Sequence, residues 1–358
     1  MKNTQFDFLV FIGRFQIFHN GHKAVVDQAL ESAKKVVILI CSTQQSRNTR
    51  NSFTFDERKA MIESVYSIDE VARLVIIDLP DHTYNDQAWI STVQSKVTKT
   101  ILENAEGNSK HIILHGMRDQ KVGLIGHEKD GTSYYLKLFP EWDSVPVEFT
   151  NILSATDIRK EYFYMGIGND ENHIDWKVPE PVFNFLKAFQ LSKMYDSLVE
   201  ENEHNLVYKQ QWSNSPYPPI FSTVDAVVVQ SGYILLVKRG AQPGKGQMAL
   251  PGGFLDHQEK IVDGIIRELR EETKIKVPEP VLRGSIKKMQ VFDDPYRSTR
   301  GRTITHTALI ELEPQTELPK VKGSDDADEA FWFPLGNLKA EELFEDHYHI
   351  IHTMIGDS

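Results

Sequence analysis

Three carboxylates crowded onto one turn of a helix repel one another unless a positive partner joins them. The stretch Arg267-Glu268-Leu269-Arg270-Glu271-Glu272 sets up that situation. Glu268 and Glu272 stand four apart, so on a helix both project from one face, with Glu271 beside them. A hard divalent cation, which takes oxygen ligands, would neutralise the cluster. Arg267 and Glu259 are placed to orient these carboxylates by hydrogen bonding. A second group of chemically capable residues lies near the start, in Gly13-Arg14-Phe15-Gln16-Ile17-Phe18-His19-Asn20-Gly21-His22. His19 and His22 are three apart at the start of a helix and share a face there. A helix N-terminus offers N–H groups and a positive dipole end to phosphate. Two imidazoles and Arg14 at that place suit a triphosphate, and Gly13 lets the backbone approach a ligand closely. Alone, either group has an ordinary reading: a capped helix with surface histidines, or a solvated charged helix. Position and register decide against it in both cases.

The elements that carry these residues follow from hydrophobic pattern. Phe8–Ile12 is a short continuous apolar run and reads as a buried parallel strand. A helix from about Gly21 to Lys35, a strand at Val36–Ile40, a helix at Phe55–Val65 and a strand at Leu74–Ile77 follow. A helix near Asp86–Glu103 and a strand at His111–His115 continue the alternation. This spacing predicts an α/β domain with a doubly wound, Rossmann-like parallel sheet, which binds ligands at the carboxyl ends of its strands. Beyond about Gly166 the pattern changes. Pro179-Glu180-Pro181 opens a helix, and the polar run Glu200–Asn205 reads as linker or solvated helix. Thr223–Gln230 and Tyr233–Val237 read as a hairpin around Ser231-Gly232. Strands near Ile286–Val291 and Thr303–Leu312 flank a strongly helical Val262–Thr273, so the second half is α+β. The expected division is a first domain over 1–190, a linker over 191–215 and a second domain over 216–358.

Bulk composition agrees. A chain of 358 residues fits two domains of roughly 100–200 residues each. A formal net charge of −11 argues against general nucleic-acid binding, which needs a broad basic surface, yet allows a small phosphorylated substrate. The apolar runs are too short for a membrane span, and the N-terminus lacks a signal-peptide pattern. Cys41 is the single cysteine, so no intrachain disulfide forms and a cytoplasmic location is expected.

The string Gly13–His22 resembles the nucleotidyltransferase signature with its His-x-Gly-His core, in the form found in archaeal-type nicotinamide mononucleotide (NMN) adenylyltransferases. Ile17 stands where those have proline, a change expected to alter loop stiffness rather than chemistry. Arg50–Arg58 resembles the family's Asn-Pro-Phe-Thr…Glu-Arg segment, with Ser52 for proline. Leu153–Arg159 resembles its second signature, in which Ser154 and Thr156 would cap a helix and donate to phosphate while Arg159 lies in its first turn. The resemblance implies catalytic roles for His19, His22, Arg14 and Arg159, and ATP or NMN binding by Gly13, Phe15, Gly21, Arg50, Ser154 and Thr156. It also implies that Trp89 stacks on the nicotinamide ring and that Asn85 hydrogen-bonds it.

The later stretch resembles the Nudix signature Gly-x5-Glu-x7-Arg-Glu-U-x-Glu-Glu-x-Gly-U, with U aliphatic. Gly253, Glu259, Arg267, Glu268, Leu269, Glu271, Glu272 and Ile275 all fall in register, and Lys274 replaces the final glycine. That departure concerns helix capping rather than metal ligation. The resemblance implies hydrolysis of a diphosphate by metal-activated water, with the Gly252 carbonyl, Glu268, Glu271 and Glu272 around the metal. The resemblance counts Glu271 among the catalytic residues and leaves the general base open; Asp325, Asp326, Asp328 and Glu329 lie in a late loop where related ADP-ribose hydrolases keep an acidic residue near the water. Phe292–Arg302 resembles a stretch of ADP-ribose-directed members, whose Arg297, Arg300 and Arg302 would hold phosphate or ribose.

Taken whole, the order of the two halves resembles bifunctional NMN adenylyltransferase/Nudix hydrolases, as does the string Gly126–Tyr135. The implied ligands are ATP, NMN, NAD and ADP-ribose, with Mg²⁺, or Mn²⁺ in its place, at both sites. Neither nucleic acid nor membrane is an expected partner, and homo-oligomerisation stays open. Two rivals remain at this stage. The Nudix half would be a non-catalytic ADP-ribose sensor, or the front half would prefer nicotinic acid mononucleotide.

Overall fold

The computed structural model describes residues 4–104, 120–126, 136–147, 153–166, 174–323 and 327–356. Its contacts divide into two compact units, one of Met1–Thr43 with Arg50–Leu198 and one of Gln44–Thr49 with Val199–Ser358. Among the described residues no helix is long and apolar enough to cross a membrane. The strand expected at His111–His115 and nearly all of the string Gly126–Tyr135 lie outside the described residues.

The first unit is built on β1 (Phe6–Gly13), α1 (Asn20–Ser32), β2 (Ala33–Ile40), α2 (Phe55–Glu63), α3 (Ile68–Val71), β3 (Leu74–Asp78), α4 (Asp86–Asn104), β4 (Val122–Gly126) and β5 (Asp143–Pro146). Helices α5 (Ala155–Met165) and α6 (Glu180–Phe189) follow. The sheet order is β3-β2-β1-β4-β5 and every pairing is parallel. The chain runs outward from β1 through β2 to β3, then resumes with β4 on the other side of β1. That reversal makes the carboxyl end of β1 the topological switch point, where such sheets bind ligands. Alternate residues Phe8, Val10 and Ile12 of β1 join Val37 and Leu39 of β2 and Val93, Val97 and Ile101 of α4 in one core. The expected helix reaching Lys35 ends instead at Ser32, because Ala33 already pairs with Phe6 and Lys35 with Phe8.

In the second unit β6 (Phe221–Gln230), β7 (Tyr233–Arg239), β10 (Ile286–Phe292), β11 (Thr303–Glu311) and β12 (Ala327–Pro334) form a mixed sheet in the order β10-β11-β6-β7-β12. The short strands β8 (Met248–Ala249) and β9 (Gly252–Phe254) pair with β7 and β6. Ser231 and Gly232 both take positive φ, 50° and 80°, as the two-residue hairpin between β6 and β7 requires. Ile265, Ile266 and Leu269 of α8 (Ile261–Thr273) pack on Val224, Ala226 and Val228 of β6 and Ala308 and Ile310 of β11. The run Glu200–Asn205 lies inside α7 (Lys193–Gln211) and is not a linker loop: Glu201 and Asn205 are buried. Asn205 donates to Thr299 Oγ1 at 3.2 Å, so the polar residues there serve packing. Helices α9 (Glu279–Gly284) and α10 (His347–Ile355) complete the unit.

Candidate active sites

At the carboxyl end of β1 the loop turns sharply. Phe15 and Ile17 both have positive φ, 48° and 83°, although neither is glycine. A proline ring, fixed near −65°, excludes the Ile17 value, so Ile17 changes the path open to the loop and not only its stiffness. The room left by the absent Cβ of Gly13 is filled by the Phe15 ring, which a Cβ would approach to 2.9 Å. Phe15 is itself buried among Phe11, Phe18 and His22. The glycine accommodates an aromatic ring, and that ring belongs to the core.

His19 is the N-cap of α1. Its Nδ1 accepts from the backbone N–H of Gly21 at 3.1 Å and of His22 at 3.3 Å. His22 Nδ1 accepts from the His19 N–H at 3.4 Å, and the two rings stack at 3.7 Å. With Nδ1 accepting in both, each neutral ring carries its proton on Nε2. Nε2–H donors on two stacked rings at a helix start suit phosphate oxygens.

Three guanidiniums gather beside this turn. Arg14 Nη2 donates to the Arg50 carbonyl at 3.1 Å, and Arg159 Nη1 donates to the Gln16 carbonyl at 2.7 Å. Burial, then Arg50 and Arg159, push Arg14 down to about 9, and burial followed by Arg50 pushes Arg159 down to about 10. Buried like charges destabilise one another until an anion joins them. Asp81, just beyond β3, favours the Arg14 charge and accepts the Ser42 N–H at 3.1 Å. Ser154 stands at the N-cap of α5, yet its hydroxyl makes no capping bond, contrary to expectation; Thr156 Oγ1 accepts from Arg159 at 3.4 Å. Asn85 Oδ1 accepts the Ala88 N–H at 3.0 Å at the start of α4. Trp89 is half-buried at the margin of the core, 6.2 Å from the Phe139 ring.

Sequence reasoning passed over two residues inside the strings it quoted. Arg58 is buried and donates to the carbonyls of Arg14, Cys41, Ser42 and Thr54. Gln16 is buried and bonds the Phe53 backbone at both its N–H and its carbonyl. Their positions within the quoted strings were the available signal.

In the second unit, the glycine loop and α8 meet closely. A Cβ on Gly253 would lie 2.5 Å from Glu268 Oε1, and one on Gly252 would lie 2.2 Å from the Val224 carbonyl. Gly252 N–H donates to Glu272 Oε2 at 3.0 Å. Burial, opposed by that bond and reinforced by Glu268, raises Glu272 to about 7; burial also raises Glu268. Arg267 holds the ring of acids. It meets Glu259 through two bonds of 2.9 Å, Glu268 at 2.8 Å, Glu271 at 3.0 Å and the Phe254 carbonyl at 3.1 Å. The hydrogen bonds from Arg267 keep Glu259 below the usual carboxylate range. Lys274 caps α8 in the left-handed conformation, φ 46°, the place of the signature's last glycine.

Among the described residues no group of three or more His, Cys, Asp or Glu side chains has converged to hold a metal ion. The reason is local: Glu268 and Glu271 are drawn to Arg267 and Glu272 to the Gly252 N–H. The donors still fit a hard divalent cation, being carboxylate oxygens against a glycine cradle with no space for a side chain.

The expectation for the three arginines of Phe292–Arg302 is corrected in part. Arg297 is buried and bidentate to Asp346 at 3.0 and 2.9 Å, a structural ion pair. Arg302 bonds the Asp293 carbonyl. Arg300 alone lies toward the glycine loop, its guanidinium 5.6 Å from the Phe254 ring centre. His347, which gave no signal in sequence, accepts the Leu250 N–H at 2.9 Å and so steadies the loop from beneath. Asp325 and Asp326 lie outside the described residues, as does the side chain of Asp328.

Known proteins resemble both halves of the chain. A cytidylyltransferase-like family model matches residues 10–161 and a NUDIX domain model matches 219–354. A nicotinamide/nicotinic acid mononucleotide adenylyltransferase of Acinetobacter baylyi is 38% identical over 198 residues, 55% of this chain and 94% of that protein. An ADP-ribose pyrophosphatase of Methanocaldococcus jannaschii is 35% identical over 128 residues, 36% of this chain and 69% of that one. The crystal structure of a bifunctional NMN adenylyltransferase/ADP ribose pyrophosphatase from Francisella tularensis, complexed with AMP and a Mn ion, matches 98% of both chains at 37% identity with a TM-score of 0.86. The chain belongs to the family of bifunctional NMN adenylyltransferase/ADP-ribose pyrophosphatase proteins.

Proposed function

We propose that the first unit transfers AMP from ATP to NMN, giving NAD and pyrophosphate, and that the second hydrolyses ADP-ribose to AMP and ribose 5-phosphate. The observation that carries the first reading is the convergence of Arg14, Arg50 and Arg159 on the turn that leads into His19 and His22, at the switch point of a parallel sheet. An NMN phosphate oxygen attacks the α-phosphorus of ATP in line, the bond to the bridging oxygen breaks, and pyrophosphate leaves with that electron pair. The nucleophile is already anionic, so no general base is needed. The chain's task is positioning and stabilisation of the charge on the phosphoryl oxygens. Trp89 would take the nicotinamide face and Asn85 its amide.

In the second unit Glu268, Glu272 and the Gly252 carbonyl would hold Mg²⁺ or Mn²⁺, which supplies charge neutralisation at the diphosphate and lowers the pKa of water. Glu271, the most exposed of the three acids, accepts the proton lost by the attacking water. Arg267 fixes the carboxylates, and Arg300 holds substrate phosphate. Assay of the purified chain with ATP and either NMN or nicotinic acid mononucleotide, and with ADP-ribose under Mg²⁺ or Mn²⁺, tests these readings. Dinucleotide formation from neither acceptor, or ADP-ribose bound but never cleaved, would overturn the corresponding half. The Acinetobacter relative's name covers both mononucleotides, so the two acceptors are compared in one experiment.

A further inference from the structure

Gln16 lies between the two left-handed residues Phe15 and Ile17 and is almost wholly buried, 1% exposed. Its side-chain amide behaves as a piece of backbone. Oε1 accepts the Phe53 N–H at 2.9 Å, and Nε2 donates to the Phe53 carbonyl at 3.0 Å and to Asn51 Oδ1. Both amide hydrogens are therefore used. Its own carbonyl receives Arg159 Nη1 at 2.7 Å. Arg50 stands three residues before Phe53, and its carbonyl receives Arg14 at 3.1 Å.

We infer that Gln16 is a positioning residue for adenylyl transfer, clamping the loop after β1 to Asn51–Phe53 so that Arg14, Arg50 and Arg159 are held ready for the polyphosphate of ATP. The inference rests on the transferase reading proposed above. Three neighbouring guanidiniums repel one another and would drift apart if each were held only by its own stem. Gln16 links the segments that carry them: the loop of Arg14, the loop segment of Arg50, and, through its carbonyl, the helix of Arg159.

A neutral amide is suited to this place. Glutamate would lose both donors, setting a carboxylate against the Phe53 carbonyl and Asn51 Oδ1, and would neutralise charge meant for phosphate. An apolar residue would leave the buried Phe53 N–H and carbonyl without this partner. Gln16 touches no reacting atom in this assignment, and its effect passes through the arginines.

The test compares the full-length wild type with Gln16→Met, which keeps length but not hydrogen bonding, and Gln16→Glu, which keeps shape but reverses the donor pattern. Calorimetric binding of inorganic pyrophosphate, KM for ATP and for NMN, kcat, and the melting temperature are measured. Both variants are expected to bind pyrophosphate about 10-fold more weakly or worse and to raise KM for ATP, while KM for NMN moves less than about 3-fold. A residue needed only for folding would lower the melting temperature and leave the ratio of the two KM values alone. Equal changes toward both substrates, or wild-type pyrophosphate affinity in folded variants, would overturn the inference. Should neither variant fold, Asn51→Ala removes one partner of the same amide and is expected to reproduce the ATP-side defect, unchanged pyrophosphate affinity in it counting against the clamp. A wild type that binds pyrophosphate but forms no dinucleotide would sink the transferase reading and leave the clamp standing.

Discussion

His19 does two things with one ring. Its Nδ1 caps α1, and the same bonds place the proton on Nε2, the donor that the proposed reaction would turn to phosphate. The two tasks separate by substitution. Asparagine is a strong N-cap but has no donor at the reach of Nε2. His19→Asn is therefore expected to melt close to wild type while adenylyl transfer falls about 100-fold or more, the usual scale for losing a transition-state donor. Wild-type activity in that variant would make His19 a cap only. Arg297 makes the opposite point. Its side chain and neighbourhood suggested a phosphate ligand, but it is 3% exposed and paired with a carboxylate 49 residues later. Asp346→Asn removes the charge that justifies burying it and is expected to cost about 3–5 kcal/mol, read from denaturant unfolding. A change within about 0.5 kcal/mol would mean that the pair is dispensable. Residue types and spacing made the histidine pair and the acid cluster visible in sequence. They could not reveal which arginines are internally neutralised, because the partner lies on a distant element.

Elements whose burial follows a simple period were legible: β1 and β2 as apolar runs, α8 by its apolar stripe of Ile265, Ile266 and Leu269. Boundaries set by pairing were not, as at Ala33, where the sheet captures residues a helix would have accepted. Helix α7 was least legible, because the face that buries Tyr195 and Leu198 continues in the polar residues Glu201 and Asn205. Glu201 is 5% exposed and accepts the Thr49 N–H at 3.3 Å, and burial raises its carboxyl to about 7. The consequence for stability has a definite sign. The folded state keeps this proton at pH values where the unfolded chain, near the ordinary value of 4.5, has lost it. Stability is full below that unfolded value and is lost as pH rises through the folded value near 7. Glu201→Gln removes the titration, so relative to wild type it should gain stability between pH 5 and pH 8, by up to about 3 kcal/mol. Equal pH profiles of the melting temperature for the two proteins would show that this carboxyl is solvated, as a linker residue would be.

At the scale of the whole molecule, each unit has its own sheet and its own core, and the groups proposed to react divide between them in the same way. Chemistry removed from one should leave the other intact, and Glu272 offers the cleanest place to try. Glutamine has nearly the helix propensity of glutamate, and its carbonyl oxygen can still accept the Gly252 N–H that now meets Glu272 at 3.0 Å. The charge is what disappears. Because burial already disfavours that charge, raising Glu272 to about 7, Glu272→Gln is expected to melt no lower than wild type. Hydrolysis of ADP-ribose should nevertheless fall about 100-fold or more, since an anionic ligand worth several kcal/mol to the transition state is lost. If the loss lies in cation binding, raising Mg²⁺ or Mn²⁺ should recover part of the rate, and the half-saturating concentration should shift upward. NAD formation in the same preparation should stay at the wild-type rate, because none of the groups assigned to it belongs to the second unit. Steady-state hydrolysis over a wide metal range, with adenylyl transfer measured in parallel, decides the matter. Undiminished hydrolysis would reduce Glu272 to a buried loop anchor, and a matching fall in NAD formation in a fully folded variant would show that the two units do not act independently.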